Sequence, residues 1–482
     1  MNRFKEYVNG RSCGILGLGV SNLPLAEMIC DMGVSLTVRD KKSPVELGER
    51  ALELQRRGVR FVSGEGAFDN INEDIIFRSP GIRPDIPALC KALANGAELT
   101  SEIEQLLELC VSDTYAITGS DGKTTSTTLT GKFLEAEAKL RGEGKVYVGG
   151  NIGTPLLSHY AEMTESDSTV LELSSFQLMT VKKAPENIAI TNISPNHLDW
   201  HRGMEEYINA KKNIIGANTK RVVVNAENAA TREIGIKESR SEEKEVIFFS
   251  SSANSFDEAV PAEAGKCLAV FLSDGFISIS DGNSSKKLLD TSIIKLPGKH
   301  NIENFMTAMA LTYGKVSADA YKTVAESFLG VEHRLELVRT LDGVDYYNSS
   351  IDSSPTRTAA ALSALGSRDI VVICGGYDKK IPFEPLAEAL FRCAKAVVLT
   401  GATADKILEA VNKYGMEHNC ADKLEIERAE DITRAIYKAK SMAEKLVGRG
   451  SCVLLSPACA SFDAFKNFAE RGNTFKRIVN EL

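Results

Sequence analysis

Nine short apolar runs, each closing on a turn of small residues, constrain this chain more than anything else in it. They read CGILGLG, SLTVRD, YAITGS, TVLELSS, IAITNIS, RVVVNAE, DIVVICGG, AVVLTG and CVLLSPA, with helical stretches between them. Strands of this kind, apolar without strict alternation, are buried on both faces, as in parallel sheets covered by helices. An α/β fold with parallel or mixed sheets is expected, and its ligands should sit just past the carboxyl ends of the strands. At 482 residues, and roughly 100–200 residues per domain, the chain should form about three domains. One boundary falls where the helical SEIEQLLELC gives way to the strand YAIT, after Ser112, and a second near Val331 in GVEHRLELV. The divisions are therefore 1–112, 113–331 and 332–482. Residues 239–292, rich in Ser, Glu, Asp and Gly, read as an irregular or two-sided strand excursion within the middle part.

Charge and cysteine use narrow the function classes. A net charge of -8 is wrong for a sleeve around nucleic acid, which needs a basic surface to displace counterions. The ten cysteines are scattered singly, without a CxxC pair, so they read as reduced thiols and not as a disulfide framework or zinc site. The opening MNRFKEYVNGRSCGILGLG lacks a charged-then-apolar leader, and no apolar run approaches the ~18 residues of a membrane span. A cytoplasmic protein with small-molecule partners, no nucleic acid and no membrane contact is expected.

The turn after YAIT carries the clearest chemistry. Gly119, Ser120, Asp121, Gly122, Lys123, Thr124 and Thr125 lie between a strand and the helical TTSTTLTGKFLEAEAKL, the setting of a phosphate loop. Lys123 would neutralise the outer phosphates of ATP, and the Thr124 hydroxyl would join a Mg2+ shell. Only two residues separate the glycines, where the usual pattern has four, so the loop is a compressed variant. The bland alternative is a glycine turn with a solvated lysine. Beyond it, LELSSFQL ends a strand on Glu172, and an acidic residue in an apolar strand calls for a cation. NHLDWH supplies His197 and Asp199 past the following strand, which is read as adjacent to the first. Taken alone, His197 is as readily a structural histidine.

Near the start, Gly17 and Gly19 follow a strand, and Asp40 ends the next one at the spacing of an acidic ribose ligand. The third glycine of GxGxxG is replaced by Asn22, so the signal is weak by itself and supports a nucleotide or nucleotide-sugar diphosphate site without deciding for or against hydride chemistry.

With these residues assembled, the chain resembles the Mur ligase family, which builds the peptide of bacterial peptidoglycan. The resemblance rests on SPGI, TGSDGKTT, GGNIGTPL, LELSSFQL, NHLDWH, PGKHNIENFMTAMA, EHRLELV, GGYDKKIPF and LLSPACASFDAFKNFAERGNTFKRI, and covers the whole length. The last two point to the member that adds D-glutamate to UDP-N-acetylmuramoyl-L-alanine. It implies a Rossmann-like N-terminal domain, a central ATPase with a phosphate loop and a Rossmann-like C-terminal domain. The implied reaction is ATP-dependent amide formation through an acyl phosphate (EC 6.3.2.9), by a monomer.

Residue roles follow from that resemblance. Thr124 and Glu172 would hold one Mg2+ and His197 the other, with Lys211 carbamylated to become a metal ligand. Without the resemblance Lys211 is an ordinary surface helix lysine. Asn151, Ser174 and Ser175 would contact the muramoyl-alanine end. Gly17, Gly19, Val20, Ser21 and Asp40, with Ser79, Pro80 and Gly81, would grip uridine and diphosphate. Asn301 and Asn304 match adenine contacts, with helix-cap residues as the bland reading, and Arg334 matches a phosphate ligand, with a surface ion pair as its alternative. Lys379, Ser461, Phe462 and Phe468 match the D-glutamate pocket. One departure stands out: where the family commonly has an Asp-Ser-Lys-Ala-Thr-Asn segment, this chain reads NSSIDSSPTRT, with Ser349 and Ile351 at the Asp and Lys positions. Asp352 or Arg357 is the candidate substitute. The competing readings are a sister ligase for L-alanine or a diamino acid, a folylpolyglutamate synthase-like ligase, and a catalytically silent nucleotide-sugar binding protein; a dehydrogenase is the weakest.

Overall fold

All nine runs form parallel strands, and the order in which they pair decides where the candidate residues meet. The structure is a computed structural model that describes residues 2–482 except Asp199, Pro297, Ser367, Lys380 and 447–449, with the Asn2 side chain also outside the description. Among the described residues twenty strands make three sheets, and the chain divides into two compact units, Met1–Phe328 and Leu329–Leu482.

In the first unit, β1 (Cys13–Leu16), β2 (Leu36–Asp40), β3 (Arg60–Ser63), β4 (Ile75–Arg78) and β5 (Glu98–Thr100) form a parallel sheet of order β3-β2-β1-β4-β5. Successive strands step outward from β1 in one direction and then, from β4, in the other. A crevice therefore opens at the carboxyl ends of β1 and β4, the usual place for a ligand in such a sheet.

The second sheet has nine strands. They are β6 (Asp113–Thr118), β7 (Val146–Gly150), β8 (Ser168–Glu172), β9 (Asn187–Ile190), β10 (Arg221–Asn225), β11 (Glu245–Ser250), β12 (Leu268–Ser273), β13 (Phe276–Ser280) and β14 (Ser285–Asp290), in the order β14-β13-β12-β11-β10-β9-β6-β8-β7. The Ser- and Asp-rich excursion becomes β11 to β14 with the helix Phe256–Ala259, and β12 to β14 run as an antiparallel meander at the sheet edge. One expectation is corrected here: the strands carrying Glu172 and leading to His197 are not neighbours. β6 lies between them, pairing Ile117 with Glu172 on one side and Thr118 with Ile190 on the other. Crossovers place later parallel strands on either side of an early one, and sequence order does not reveal which. The result brings both segments in from opposite sides of the phosphate-loop strand.

The second unit holds β15 (Glu336–Leu341), β16 (Val344–Asn348), β17 (Ile370–Cys374), β18 (Ala394–Leu399), β19 (Glu425–Arg428) and β20 (Cys452–Leu455), in the order β15-β16-β20-β17-β18-β19. Its sheet buries an apolar layer on each face. Val372, Leu399 and Leu454 pack with Leu386 and Leu390 on one side, and Val371, Val398 and Val453 with Ile436 and Phe475 on the other.

Candidate active site

Strand β6 delivers the loop Gly119–Gly122 to the amino end of the helix Lys123–Arg141. Two glycines are required by the space. At Gly119 (φ +148°) a Cβ would overlap the Thr191 hydroxyl, and at Gly122 (φ +78°) it would come 2.6 Å from Asn304 Oδ1. The segment after β9 fastens the loop: Ser120 N–H donates to Asn192 O (2.8 Å), Asp121 N–H to Asn192 Oδ1 (3.0 Å), and Thr191 Oγ1 to Asp121 O (2.6 Å). Ser120 Oγ donates to Ser194 O (2.9 Å) and lies 3.0 Å from the Tyr207 hydroxyl. The first helical N–H groups, of Lys123, Thr124 and Thr125, have no carbonyl one turn earlier to bind, so they supply the positive end of the helix to an anion. Lys123 Nζ donates to the carbonyls of Gly119 (3.0 Å) and Ser120 (2.8 Å), folded over its own loop.

Around this loop lie the predicted polar residues. Glu172 is buried; its Oε1 accepts from Asn151 Nδ2 at 2.8 Å, while its buried Oε2 has no hydrogen-bond partner among the described residues. An orphaned carboxylate oxygen is expensive unless a cation meets it. Hard oxygen donors such as this one and the Thr124 hydroxyl suit Mg2+. Among the described residues no three His, Cys, Asp or Glu side chains gather into a metal cage. Asn304, on the helix Lys299–Thr312, accepts from Ser126 Oγ (3.1 Å) and bonds Asn301 (3.3 Å). Both asparagines lie inside that helix, whose cap is Gly298, so the cap reading fails for them.

Lys211 is not a surface lysine. It is 1% exposed near the end of the helix Met204–Lys212, and its Nζ donates to Gly119 O at 2.6 Å and to Thr118 Oγ1 at 3.4 Å. It also sits 4.7 Å from the centre of the Tyr207 ring. Burial, with the nearby charge of Lys123, pushes its pKa down to about 7, against the pull of Glu172 and Asp121. His197 is exposed, takes a left-handed backbone (φ +54°) and lays its ring 4.9 Å from that of Phe176. Asp199 lies outside the described residues.

Ser174 and Ser175 are occupied internally. Ser174 closes a capping box with Gln177, and Ser175 Oγ lies 2.9 Å from His201 Nε2. In the first sheet, Gly17 (φ +78°) abuts Ser79, since a Cβ there would stand 3.0 Å from Ser79 Cβ. Asn22, at the missing third glycine, donates to Gly17 O (2.8 Å), and Asp40 accepts from the N–H groups of Leu18 (2.8 Å) and Lys42 (2.9 Å). The turn of Gly17, Gly19, Val20 and Ser21 and the turn of Ser79, Pro80 and Gly81 thus flank one crevice. Val20 is 81% exposed.

Sequence reasoning missed the residues that link these turns. Buried Arg78 donates to the carbonyls of Pro80 (3.1 Å), Ile82 (2.6 Å) and Phe176 (2.9 Å), and burial lowers its pKa to about 10. Arg83 grips Asp85, Glu206 and Trp200 O (2.7 Å), and Trp200 Nε1 donates to Gly81 O (3.2 Å). An arginine closing the apolar strand IIFR was the available signal, since it must be paired if buried.

In the second unit, Ser349 and Ser350 of the departing segment are buried. Ser349 Oγ accepts from Leu335 N–H (3.1 Å), and Ser350 Oγ donates to Phe468 O (2.7 Å). Asp352 is buried against Ser456 (2.8 Å), and burial raises its pKa, whereas Arg357 is exposed. Lys379 Nζ donates to Ser353 O (3.2 Å) and Oγ (3.1 Å), with its pKa lowered by burial. Ser461 is buried; Phe462 is exposed with its ring edge-on to Tyr377 at 6.0 Å, and Phe468 stands edge-on to His333 at 5.9 Å. Arg334 N–H bonds Val331 O at 3.1 Å. Arg471, also missed, is buried and donates to Ser350 O (2.9 Å), Cys459 O (3.1 Å) and Ala460 O (3.1 Å), holding the turns after β16 and β20 together.

Comparison with known proteins agrees with this geometry. The Mur ligase middle domain family matches residues 117–312, and the family described as Mur ligase, glutamate ligase domain, matches 333–459. A UDP-N-acetylmuramoylalanine–D-glutamate ligase of Ruminiclostridium cellulolyticum is 43% identical over 100% of this chain and 99% of its own length; one of Clostridium beijerinckii is 44% identical with the same coverage. Among solved structures, the UDP-N-acetylmuramate-alanine ligase of Thermotoga maritima aligns with a TM-score of 0.53 at 18% identity, covering 98% of this chain and 99% of that one. MurF of Acinetobacter baumannii aligns at 0.53 and 15%, covering 82% and 87%, and these two likenesses concern the fold. Matched in both domains, and more than two-fifths identical to such relatives along its whole length, the chain belongs to the Mur ligase family.

Proposed function

We propose that this chain is the ATP-dependent ligase that joins D-glutamate to UDP-N-acetylmuramoyl-L-alanine, acting in the cytoplasm as a monomer during peptidoglycan precursor synthesis. The observation that carries the reading is the buried, half-satisfied Glu172 carboxylate beside a lysine-bearing phosphate loop, in a chain more than 40% identical to D-glutamate ligases over its full length. Residues 1–112 hold the UDP moiety, 113–331 bind ATP and 332–482 bind the amino acid.

In this reading the amide is made by way of an acyl phosphate on the alanyl carboxylate. Lys123 and the first-turn N–H groups hold the ATP phosphates and stabilise charge on the transferred group. Thr124 and Glu172 hold one Mg2+, and His197 with Lys211 holds a second. Bound Mg2+ supplies the positive charge that lets the carboxylate approach the γ-phosphate. Asn301 and Asn304 face the nucleotide, Arg334 a phosphate, and Lys379, Ser461, Phe462 and Phe468 the D-glutamate. The segment with Ser349 and Ile351 lacks an acidic and a basic group there, so Lys379 and Arg357, whose charge lies close enough to lower the Lys379 pKa, are the candidate cations of the pocket.

Lys211 is suited to carbamylation. With a pKa of about 7, much of the amine is unprotonated at neutral pH, and only that form attacks CO2. A carbamate keeps one N–H for Gly119 O. Protein equilibrated with 13C-bicarbonate should show one carbamate resonance that Lys211→Arg abolishes; its absence from the unaltered protein would remove the second metal ligand. The ligase reading is tested by 18O placed in the substrate carboxylate. One label should appear in the phosphate released with each glutamyl product, and unlabelled phosphate would rule out acyl activation.

A further inference from the structure

Four side chains form a continuous line through the first unit that the reaction as described does not use. Arg83 donates to both carboxylate oxygens of Glu206 (2.8 and 3.1 Å). Glu206 Oε2 lies 3.3 Å from His201 Nδ1, a charge contact outside hydrogen-bond geometry that leaves Nδ1 without a hydrogen-bond partner among the described residues, and His201 Nε2 lies 2.9 Å from Ser175 Oγ. His201 is 3% exposed. Its ring is stacked on Phe176 (5.5 Å, interplanar angle 4°) and edge-on to Tyr207 (5.2 Å), so it has little freedom to rotate. Glu206 is held as an anion, its pKa drawn down to about 2 chiefly by Arg83.

A lone pair on Nδ1 would be repelled by the carboxylate 3.3 Å away, which favours the proton of a neutral imidazole on that nitrogen and leaves Nε2 as an acceptor. The Ser175 hydroxyl must then donate to it. This bond spans two segments that matter to the site. Ser175 lies three residues past Glu172, and His201 lies four past His197, whose carbonyl accepts the His201 N–H at 2.9 Å. Glu206 lies on the helix that ends with Lys211 and Lys212. These hydrogen bonds and the Glu206–His201 charge contact together brace the segments bearing Glu172, His197 and Lys211, and Arg83 anchors them to the segment after the Ser79–Gly81 turn.

We propose that His201 is a positioning residue, which accepts the Ser175 hydroxyl proton and so fixes the Glu172 and His197 segments in register for the divalent cation. The inference rests on the ligase reading above for the roles of Glu172 and His197. Partners one step behind metal ligands are worth about 10- to 100-fold in affinity or activity, and an effect of that size is expected here.

The test compares His201→Phe, which keeps the flat ring but cannot accept a hydrogen bond, with His201→Gln, whose carbonyl can take the place of Nε2. In the unaltered protein without metal, 15N spectra of labelled histidine should show His201 protonated at Nδ1 alone. His201→Phe should weaken Mn2+ binding, followed by its paramagnetic resonance with ATP present, by about 10-fold or more and lower kcat without a matching rise in the KM for D-glutamate. His201→Gln should recover most of both losses, and Ser175→Ala combined with His201→Phe should be no worse than His201→Phe alone. An Nε2-protonated ring, Mn2+ binding unchanged in His201→Phe, or equal losses in Phe and Gln variants of unaltered melting temperature would each overturn the proposal. Should the unaltered protein fail to use D-glutamate, the ligase reading falls, while the tautomer and Mn2+ measurements still decide the role of His201.

Discussion

At Lys123 the ammonium rests on two carbonyls of its own loop, 2.8 and 3.0 Å away, so the unliganded loop already points its charge across the turn where phosphates would lie. Lys123→Ala removes a charged clamp while leaving the glycine geometry set by Thr191 and Asn304 intact. The expected loss in kcat is 10²–10³-fold, about 3–4 kcal/mol of transition-state stabilisation, by comparison with the loss of one oxyanion donor. Steady-state phosphate release measures it, and near-normal turnover would overturn the phosphate-loop assignment. At this scale the sequence was informative about residue type and poor about environment. Glu172 could be identified as needing a cation because a carboxylate in an apolar strand has few other reasons to be there. Lys211 looked ordinary in YINAKKNI, because nothing local in that helix tells which of its lysines turns inward. Ser174 and Ser175 read as substrate contacts, yet their hydroxyls close a capping box and reach His201, partners that become neighbours only on folding.

Secondary elements were legible wherever their pattern is local. All nine apolar runs are strands because continuous β-branched and aliphatic residues between small-residue turns have few alternatives at that length. The order of strands is a different matter, since β6 separates β8 from β9 through crossovers whose direction depends on packing across the sheet. The helix Glu102–Leu109 shows what local pattern leaves out: SEIEQLLELC reads as helical, but nothing local in it shows that Glu102 and Glu104 are both buried. Glu102 Oε1 accepts the Leu157 N–H at 2.9 Å, and burial pushes its pKa up to about 7. A folded-state pKa above the unfolded value means that the native protein binds the extra proton between pH ~4.5 and ~7, so this group's contribution to stability falls as pH rises through that window. Glu102→Gln keeps a carbonyl for the Leu157 N–H and removes the titration. It should melt close to the unaltered protein at pH 5 and be more stable at pH 8, by roughly 1–3 kcal/mol. Calorimetry at the two pH values measures the difference; an unchanged gap between them would show that Glu102 does not titrate in this range.

Across the whole molecule, the ligase reading draws on residues from both units: the phosphate loop, Glu172 and Lys211 in the first, and Lys379, Ser461 and Phe468 in the second. Its proposed division of labour follows from the sequence because each candidate turn closes its own strand, where a parallel sheet places ligands. Less visible was the cross-linking of those turns by buried Arg78 and Arg471 and half-buried Arg83, each bonded to carbonyls of other segments. No helix among the described residues is long and apolar enough to cross a membrane. In the proposed reading the departing segment Asn348–Thr358 leaves amine selection to the residues around Lys379, so the choice of amino acid is the claim to test. The most direct test is phosphate release from ATP with Mg2+ and UDP-N-acetylmuramoyl-L-alanine, compared for D-glutamate, L-glutamate, L-alanine and no amine. Release that depends on D-glutamate is the predicted result. Release that is faster with another amine, or equal without any, would contradict it.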